Sequence, residues 1–413
     1  MQPKIIRRDQ HPISRKDMPE EVLKVLYRLH RCGHLAYLCG GGVRDLLLAR
    51  DAGDFDVATD AEPRQLKEVF GNCRLVGRRF RIAHILFKGG KIIEVSTFRK
   101  KSEENGEGEE NEESLLIKRD NTFGTPAEDA FRRDFTVNAL YYNIADFSLI
   151  DYVGGRADLQ TCLIRCIGDP DIRFQEDPIR ILRGIRLAAS LDFQVEEQTW
   201  EAMIRQRYHL VESAVPRIRE ELMKILQRGN TGRAFHLLSQ AGILEILLPK
   251  LHGFLHFPQD DDRLDPGLFW DYLATLDRLR QENECLSDAL FLATLTAAPV
   301  SRFLENLPSG SDVGKCLHEY LEETFKPLAF PRLIRGQTHL LHLALRHMLR
   351  TGGRRRRNLR TSPLFDEALK FLEIHCRATN QFWSKLDRWQ HSPRQPRRRR
   401  GRRPVVSTTQ RTS

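Results

Sequence analysis

The chain has 413 residues, a hydrophobic fraction of 40% and a formal net charge of +10. This length accommodates two or three domains, each with its own core. No uninterrupted apolar run is long enough to span a membrane, and the basic N-terminus lacks the apolar segment of a signal peptide. We therefore expect a cytoplasmic protein without integral membrane association.

The eight cysteines show no repeated pair of the kind that holds zinc. Cys162 and Cys166 are the closest in sequence, but no further ligands accompany them. We expect buried free thiols, which are typical of a reducing compartment.

Strand and helix patterns alternate in the first half of the chain. Apolar residues recur at helical spacing over residues 17–31, with Pro19 near the start and Gly33 after the end. The other predicted elements here are a strand at 35–38, a helix from 43, a strand at 55–59, a helix at 63–70, strands at 74–87 and 91–97 joined by Gly89-Gly90, and strands at 147–152 and 163–167 with a turn at 154–159 between them. The Glu-, Asn- and Gly-rich segment 101–114 is predicted to be a disordered acidic loop.

Beyond about residue 168 the pattern becomes helical. The predicted helices span residues 178–191, 216–226, 234–240, 268–280, 286–295 and 364–375.

The positive charge is concentrated at the C-terminal end. No acidic residue follows Asp387, whereas nine arginines do, and the segment from about residue 391 is rich in Pro, Arg and Ser. Such a segment cannot bury a core, so we expect disorder, and its charge favours binding to nucleic acid. The arginines to which we assign RNA binding are Arg397, Arg398, Arg399 and Arg400. A tail that aids solubility or binds a protein is the alternative.

Three glycines, Gly40, Gly41 and Gly42, separate the predicted strand at 35–38 from the helix that begins near Val43. A glycine turn in this position exposes backbone N–H groups, and the helix N-terminus adds partial positive charge, so the turn suits a phosphate. It is not a P-loop, because no Lys-Ser or Lys-Thr follows the glycines.

Asp54 and Asp56 lie at the start of the next predicted strand. Side chains two residues apart on a strand point to the same face, so both carboxylates can share hard cations such as Mg²⁺. Paired metal ions clamp the attacking and leaving oxygens in nucleotidyl transfer. Surface carboxylates in a turn are the alternative for an isolated Asp-x-Asp, but the order glycine turn, Arg-Asp helix start and Asp-x-Asp is more specific.

A second constellation begins at Asp177, which precedes Pro178 at a predicted helix start. Arg180 and Arg183 lie three residues apart and share a helix face. Asp177 can simply cap a helix with solvated arginines. Alternatively, its acceptor oxygens and the fork donors of Arg180 match the polar edge of a nucleotide base.

Two segments offer further candidates. The group Arg132, Arg133 and Asp134 supplies two cations and a third carboxylate, although a solvated helix start would carry the same residues. Glu94 is a rival third acid, or else the acceptor of a buried arginine.

Arg78, Arg79 and Arg81 surround Phe80 on backbone with a strand pattern. Cations interleaved with an aromatic ring suit an RNA or triphosphate surface. A sheet edge protected by charge is the alternative.

Taken together, these motifs resemble those of the class II nucleotidyltransferases of the bacterial poly(A) polymerase and tRNA CCA-adding superfamily. The resemblance covers roughly residues 14–250. The matching segments are the glycine turn with Asp54 and Asp56, residues 132–140, Asp151 with Gly154, Gly155 and Asp158, residues 176–186, and residues 216–226. Residues 75–85 resemble the segment typical of the poly(A) polymerase branch.

The resemblance implies an α+β fold: a mixed α/β head of nucleotidyltransferase type, followed by an all-α neck and body. It implies ATP-dependent extension of RNA 3′ ends without a template. It also implies metal binding by Asp54 and Asp56, with Asp134 as a third active-site acid. The residues assigned to ATP are Gly41, Gly42, Arg44, Arg133, Asp177, Arg180 and Arg183.

We therefore expect a head at residues 1–168, a neck at 169–250, a helical body at 251–390 and a basic tail at 391–413. The expected activity is that of a poly(A) polymerase with two Mg²⁺ ions, ATP as substrate and RNA 3′ ends as partner. A CCA-adding or A-adding tRNA nucleotidyltransferase shares the catalytic motifs and is the nearest alternative. A non-catalytic RNA-binding protein that kept the fold is a remote one.

Overall fold

The structure is a computed structural model that describes residues 2–77, 81–100, 123–228, 230–256, 266–282, 284–350 and 359–391. The chain divides into two compact units, Met1–Ile225 with Arg233–Ile246, and Leu226–Gly232 with Leu247–Ser413. The predicted boundaries of head, neck, body and tail remain a prediction.

The strands and helices have the following bounds. The strands are β1 (Lys4–Ile6), β2 (Ala36–Cys39), β3 (Asp56–Thr59), β4 (Cys73–Val76), β5 (Ile82–Leu86), β6 (Ile92–Thr97), β7 (Leu140–Asn143), β8 (Leu149–Asp151), β9 (Leu163–Ile164) and β10 (Gln194–Val195). The helices of the first unit and its borders are α1 (Glu20–Arg31), α2 (Gly41–Leu47), α3 (Pro63–Val69), α4 (Pro126–Arg132), α5 (Gly155–Gln160), α6 (Pro170–Glu176), α7 (Ile179–Leu191), α8 (Glu197–Gln206), α9 (Val215–Arg228), α10 (Thr231–Gln240) and α11 (Ile243–Leu247). The helices that follow are α12 (Pro249–His256), α13 (Gly267–Gln281), α14 (Asp288–Leu295), α15 (Ala297–Glu305), α16 (Val313–Phe325), α17 (Arg332–Leu349), α18 (Phe365–Thr379) and α19 (Trp383–His391).

Strands β1 to β8 form one mixed sheet in the order β1-β8-β7-β2-β3-β6-β5-β4. β3 and β6 run parallel, and the other neighbours are antiparallel. Helix α1 covers one face with its apolar stripe of Val22, Val25, Leu26 and Leu29. The opposite face carries a buried cluster that includes Tyr37, Cys39, Ala58 and Tyr141. Asp56 is opposite Cys39 in the register and therefore lies on this second face.

The predicted strand at 74–87 is wrong, because the structure has two antiparallel strands there, β4 and β5. Gly77 between them has a φ of 96°, a conformation that interrupts extended backbone and that glycine adopts without strain. The predicted pairing of residues before and after Gly89-Gly90 is confirmed, since β5 and β6 are antiparallel neighbours.

The predicted turn at 154–159 is instead the short helix α5. Both carboxylate oxygens of Asp151 accept backbone N–H groups of residues 153–156 at 2.8–3.1 Å, which satisfies donors at the helix start. The buried Asp158 accepts the Thr136 hydroxyl at 2.6 Å and the Arg165 guanidinium. These acids therefore hold the segment around Thr136 in place.

The second unit is built from helices. Helix α14 is buried along residues 289–295, because it is apolar on all sides and packs against α13, α15, α17 and α18. Its buried polar neighbours are paired: Tyr272 Oη with His375 Nδ1 at 2.5 Å, and Thr296 Oγ1 with His342 Nε2 at 2.9 Å. The predicted all-α character of this part is confirmed.

All eight cysteines are free, and Cys39, Cys166 and Cys376 are buried as expected. The expectation of buried thiols is wrong for Cys32, Cys162 and Cys285, which are exposed. Among the described helices, none combines the length and the apolar character that crossing a membrane requires.

Candidate active site

A cleft of about 600 Å³ lies on the sheet face that carries Asp56. Its walls come from the sheet, from the end of α4 and from helices α7 and α9. The residues that line it are Cys39, Asp56, Ile82, Glu94, Ser96, Arg99, Asp129, Arg132, Arg133, Asp134, Asp177, Arg180, Arg183 and Arg217. Several residues singled out in the sequence therefore share one cavity, namely Asp56, Arg133, Asp134, Asp177, Arg180 and Arg183. Asp54, Gly41, Gly42 and Arg44 are not among the residues that line it.

The glycine turn lies directly against the side chain of Asp56. Gly40 has φ 74° and ψ −145°, and a Cβ atom there would be 3.3 Å from Asp56 Oδ2. A Cβ at Gly42 would be 2.9 Å from the Asp54 carbonyl oxygen, so a side chain would displace the backbone that carries the acids. A Cβ at Gly41 would be 3.3 Å from the Arg44 guanidinium.

Arg44 is held from two sides. Its Nε and Nη2 donate to the Asp45 carboxylate at 2.8 and 3.0 Å, and its Nη1 donates to Asn138 Oδ1 at 2.7 Å. Because a guanidinium has five donors, two of them remain for a ligand. The side chain is thus fixed beside the glycine turn before any ligand binds.

Asp56 begins β3, whereas Asp54 lies two residues before the strand and is exposed. Glu94 is the direct partner of Asp56 in the parallel pairing of β3 with β6. Burial and the charge of Glu94 raise the pKa of Asp56 above its usual value, with a further contribution from Asp54. Three carboxylates that repel one another in this way favour a cation.

A bound cation needs ligands beyond these side chains. In the described part of the chain, no group of three or more His, Cys, Asp or Glu side chains is arranged to hold a metal by itself. The carboxylates of Asp54, Asp56 and Glu94 are hard oxygen donors suited to Mg²⁺, which keeps open positions for water and phosphate oxygens. The donor set therefore fits a metal that is shared with a nucleotide.

Asp134, the predicted third acid, is engaged elsewhere. Its Oδ1 accepts the backbone N–H of Phe135 at 2.8 Å, and its Oδ2 lies 3.5 Å from Arg183 Nη1. Although Asp134 lines the cleft, the register places Glu94, not Asp134, beside Asp56.

Arg133, predicted to bind the nucleotide, is committed to a buried network. Its guanidinium donates to Asp129 Oδ2, Tyr141 Oη, the Asn138 carbonyl and Cys39 Sγ at 2.9–3.2 Å. These contacts hold the end of α4 against the sheet, so Arg133 has little donor capacity left for a ligand.

Arg132 was named as a candidate cation but was not assigned to ATP, and it lines the cleft. Its Nη2 lies 3.7 Å from Asp129, and its Nε is buried without a hydrogen-bond acceptor among the described residues. The sequence signal was an Arg-Arg pair, and nothing in that pair indicates which arginine turns inward.

Asp177 does not cap helix α7, so the cap reading is wrong. It ends α6, and the residue before α7 makes no side-chain cap. Its Oδ2 instead accepts from Arg217 Nη2 at 2.8 Å, and its Oδ1 is buried without a partner in the described part of the chain. Arg217 was not among the predicted site residues either, since it comes from a separate helix.

Arg180 and Arg183 both line the cleft from α7. Arg180 Nη1 donates to the Arg173 carbonyl at 2.8 Å and to Glu176 at 3.3 Å, which leaves its Nε and Nη2 unused among the described residues. Burial alone would lower the pKa of Arg183, but the charges of Asp134 and Glu221 outweigh it and raise this pKa. Arg183 is therefore a permanent cation at the cleft wall.

Part of the predicted RNA surface lies outside the described residues, namely Arg78, Arg79 and Arg397, Arg398, Arg399 and Arg400. Arg81 is described and exposed.

Comparisons with known proteins agree with this fold. A family model described as "Poly A polymerase head domain" matches residues 36–165, and one described as "Probable RNA and SrmB- binding site of polymerase A" matches residues 192–255. Poly(A) polymerase I of Salmonella typhi is 38% identical over 92% of this chain and 85% of its own length. The CCA-adding enzyme of Bacillus velezensis is 34% identical over 57% of each chain.

Among solved structures, the CCA-adding enzyme of Bacillus stearothermophilus in complex with CTP superposes with a TM-score of 0.68. The match has 25% identity and covers 90% of this chain and 82% of that one. The mixed head followed by helices is thus the fold of the nucleotidyltransferases that the sequence motifs resemble. Within that class, the chain belongs to the bacterial poly(A) polymerase family and is a polynucleotide adenylyltransferase.

Proposed function

We propose that this chain adds AMP from ATP to RNA 3′ ends without a template, at the cleft that contains Asp56. The 3′-hydroxyl oxygen attacks the α-phosphorus, a new phosphodiester bond forms, and the bond to the bridging oxygen breaks to release pyrophosphate. The hydroxyl proton leaves to solvent. The observation that carries the proposal is the juxtaposition, in one cleft, of Asp56 and Glu94 with the unpaired oxygen of Asp177.

Asp54, Asp56 and Glu94 form the acidic side of this site. They would hold two Mg²⁺ ions, which supply charge neutralisation at the reacting phosphate when bound. We assign the third acid to Glu94 in preference to Asp134, because the strand register places Glu94 directly beside Asp56. Both acids have a basic neighbour, His84 Nε2 at 3.4 Å from Glu94 and Arg183 Nη1 at 3.5 Å from Asp134. Asp134 would then position Arg183.

The opposite side of the site is cationic. Gly41 and Gly42 leave room for the triphosphate, and Arg44 offers it the two donors that Asp45 and Asn138 do not use. Arg132 and Arg183 add positive charge at the cleft wall. Fixed cations stabilise the charge that develops on the leaving pyrophosphate without reorganising during the reaction.

Asp177 and Arg180 select the base of the incoming nucleotide. Asp177 Oδ1 is a buried acceptor without a donor, and the Nε and Nη2 atoms of Arg180 are donors without an acceptor. Adenine offers one donor and one acceptor on its Watson–Crick edge, which complements this pair. A buried polar group left unpaired is costly, so a base with the wrong edge is rejected.

The RNA partner is a 3′ end of mRNA, or of tRNA or another small RNA. We place the activity in the cytoplasm, in keeping with eight cysteines that are all free.

The test of the site is substitution of its acids. We expect Asp54→Asn, Asp56→Asn and Glu94→Gln each to lower kcat for AMP addition at least about 100-fold, because each removes a charge that the transition state needs. Mn²⁺ binding followed by electron paramagnetic resonance should weaken in parallel. Asp51→Asn, an exposed aspartate in the same loop, is the matched control. Near-normal turnover of Asp56→Asn at saturating Mg²⁺ would contradict the proposal.

CCA or A addition to tRNA is the second candidate. It is favoured by the superposition with a CCA-adding enzyme, which extends over 90% of this chain. The two activities differ in the product formed from ATP or CTP alone, and that difference separates them.

A further inference from the structure

A second pocket, of about 330 Å³, lies in the first unit. It is lined by residues before and within α1 and by the β7–β8 hairpin, including Tyr142. Neighbouring residues of a strand point to opposite faces, and Tyr141 belongs to the cluster on the cleft side of the sheet. The pocket, called the N-terminal pocket below, is therefore on the other side of the sheet from the proposed active site.

The N-terminal pocket is lined by three cations, Arg8, Arg15 and Lys16. Arg15 donates from Nη1 to Tyr27 Oη at 2.6 Å, and its guanidinium lies 4.5 Å from the centre of the Phe147 ring. Arg8 donates from Nη1 to the His11 carbonyl at 3.1 Å. Each guanidinium keeps further donors, and none of the three cations forms an ion pair with a carboxylate among the described residues.

The carboxylates nearby do not neutralise this charge. Burial raises the pKa of Tyr142 and Asp146 adds a small rise, but the Asp146 carboxylate accepts the backbone N–H and hydroxyl of Ser148. Burial lowers the pKa of His11, which bonds to the Phe147 carbonyl, and the charge of Asp9 opposes this shift only weakly. Neither aspartate lines the pocket.

Tyr142 provides an independent observation. The residue is 0% exposed, it lines the pocket, and its hydroxyl has no hydrogen-bond partner among the described residues. Buried polar groups in folded proteins are almost always paired, because leaving one unpaired costs free energy. A hydroxyl that lines the same pocket as these cations is suited to donate to an anion that the cations hold.

We propose that the N-terminal pocket binds a phosphate group, which Arg8, Arg15 and Lys16 hold and to which the Tyr142 hydroxyl donates a hydrogen bond. Guanidinium forks match phosphate oxygens, and the described residues that line the pocket include three cations and no carboxylate. The volume is at the lower end of the range for small-molecule sites, which admits a phosphate with part of a nucleoside. The phosphate comes either from a free phosphate or nucleotide, or from the backbone of an RNA bound to the enzyme.

Hydrogen exchange of the full chain, followed by mass spectrometry, tests the proposal without interference from the cleft. Peptides that cover residues 8–27 and 140–148 report on the N-terminal pocket, and peptides that cover residues 39–47 report on the cleft. The probes are inorganic phosphate, AMP and an oligoadenylate, each titrated at low salt and without Mg²⁺. Protection at lower concentrations of oligoadenylate than of AMP identifies RNA backbone as the source, and the reverse order identifies a free anion.

The variants are Arg15→Gln with Lys16→Gln, and separately Tyr142→Phe, which keeps the ring and removes the unpaired hydroxyl. Lys24→Gln with Lys67→Gln removes the same charge from exposed positions outside the pocket and is the matched control. We expect the double pocket variant to bind the probe at least about tenfold more weakly, with a smaller loss for Tyr142→Phe and none for the control. Protection that is absent with all three probes, confined to the cleft peptides, or equal in pocket and control variants would overturn the proposal.

Discussion

Two residues of the cleft keep hydrogen-bonding groups that the protein itself does not use. One carboxylate oxygen of Asp177 accepts a hydrogen bond from Arg217, and the other is buried without a donor among the described residues. Arg180 uses only its Nη1 atom in hydrogen bonds within the described part of the chain. An unpaired buried group is tolerated where a ligand completes it. In our account, that ligand is the edge of the incoming adenine.

Asp177→Ala and Arg180→Ala should therefore relax the preference for ATP over GTP more than they weaken triphosphate binding. Guanine presents the donor and the acceptor of its edge in the reverse order from adenine, and removing the unpaired group removes the penalty that this wrong base incurs. The measurement is the ratio of kcat/KM for ATP and GTP in each variant, together with inhibition by tripolyphosphate.

Asp171→Ala is the matched control for base choice, because Asp171 lies on α6 near Asp177 but pairs with Arg205 away from the cleft. Should both cleft variants keep the parent ratio of kcat/KM, base selection would have to be assigned to other residues.

At the scale of elements, helix α7 has to approach the segment around Asp134 closely. A Cβ atom at Gly184 would be 2.7 Å from the Phe135 ring and 2.3 Å from Met203 Cε. Both neighbours are buried, so little space exists into which they can move. Gly184 thereby sets the distance between Arg183 and Asp134.

Gly184→Ala should destabilise the protein by about 1–3 kcal/mol, because overpacking forces side chains from their preferred rotamers. Gly336→Ala is the control: a Cβ there meets nothing within 4 Å, and alanine stabilises an exposed helix interior by up to about 1 kcal/mol. Denaturant unfolding of both variants gives the comparison. A Gly184→Ala protein as stable as the parent would refute the packing argument.

Much of this fold can be predicted from local sequence patterns. The α1 stripe, the glycine turn and the helix after Pro178 follow from spacing and from residues with strong conformational preferences. Gly77 divides a run of strand-forming residues, and its φ of 96° depends on tertiary context. The helix after Gly154 depends on Asp151, a cap that comes from the preceding strand.

The sequence indicates which residue types form the candidate site, but not which side chains contact one another there. Asp54, Asp56 and Asp177 stand out in the sequence, but the position of Glu94 beside Asp56 is a consequence of strand register. Likewise, the engagement of Arg133 in a buried network depends on Tyr141 and Cys39, which come from strands of the sheet. Such contacts depend on tertiary structure and are not visible in the local sequence pattern.

At the scale of the whole molecule, eight arginines and no acidic residue lie between Arg394 and Ser413, outside the described residues. We predict that this segment binds RNA through its charge and without sequence preference. Each phosphate neutralised on single-stranded RNA adds roughly 0.7 to the slope of log K against log salt.

Deleting residues 394–413 should raise KM for RNA at moderate salt, while kcat and KM for ATP stay nearly unchanged. The deletion should also flatten the slope of log K for RNA against log salt. Replacing the eight arginines by glutamine at constant length is the matched control for loss of chain. Titration of a fluorescent RNA at several salt concentrations gives the slopes. Identical slopes for full-length and truncated protein would leave the segment a role in solubility or protein binding.

We propose that one cleft adds A residues repeatedly to RNA of any fold. To test this, the purified protein is incubated with an RNA unrelated to tRNA and with ATP or CTP alone, and the products are resolved at single-nucleotide length. We expect long A tracts from ATP, little extension from CTP, and no extension by Asp56→Asn. Products that stop after one A, or that require CTP before A and end as CCA, would rule out this activity.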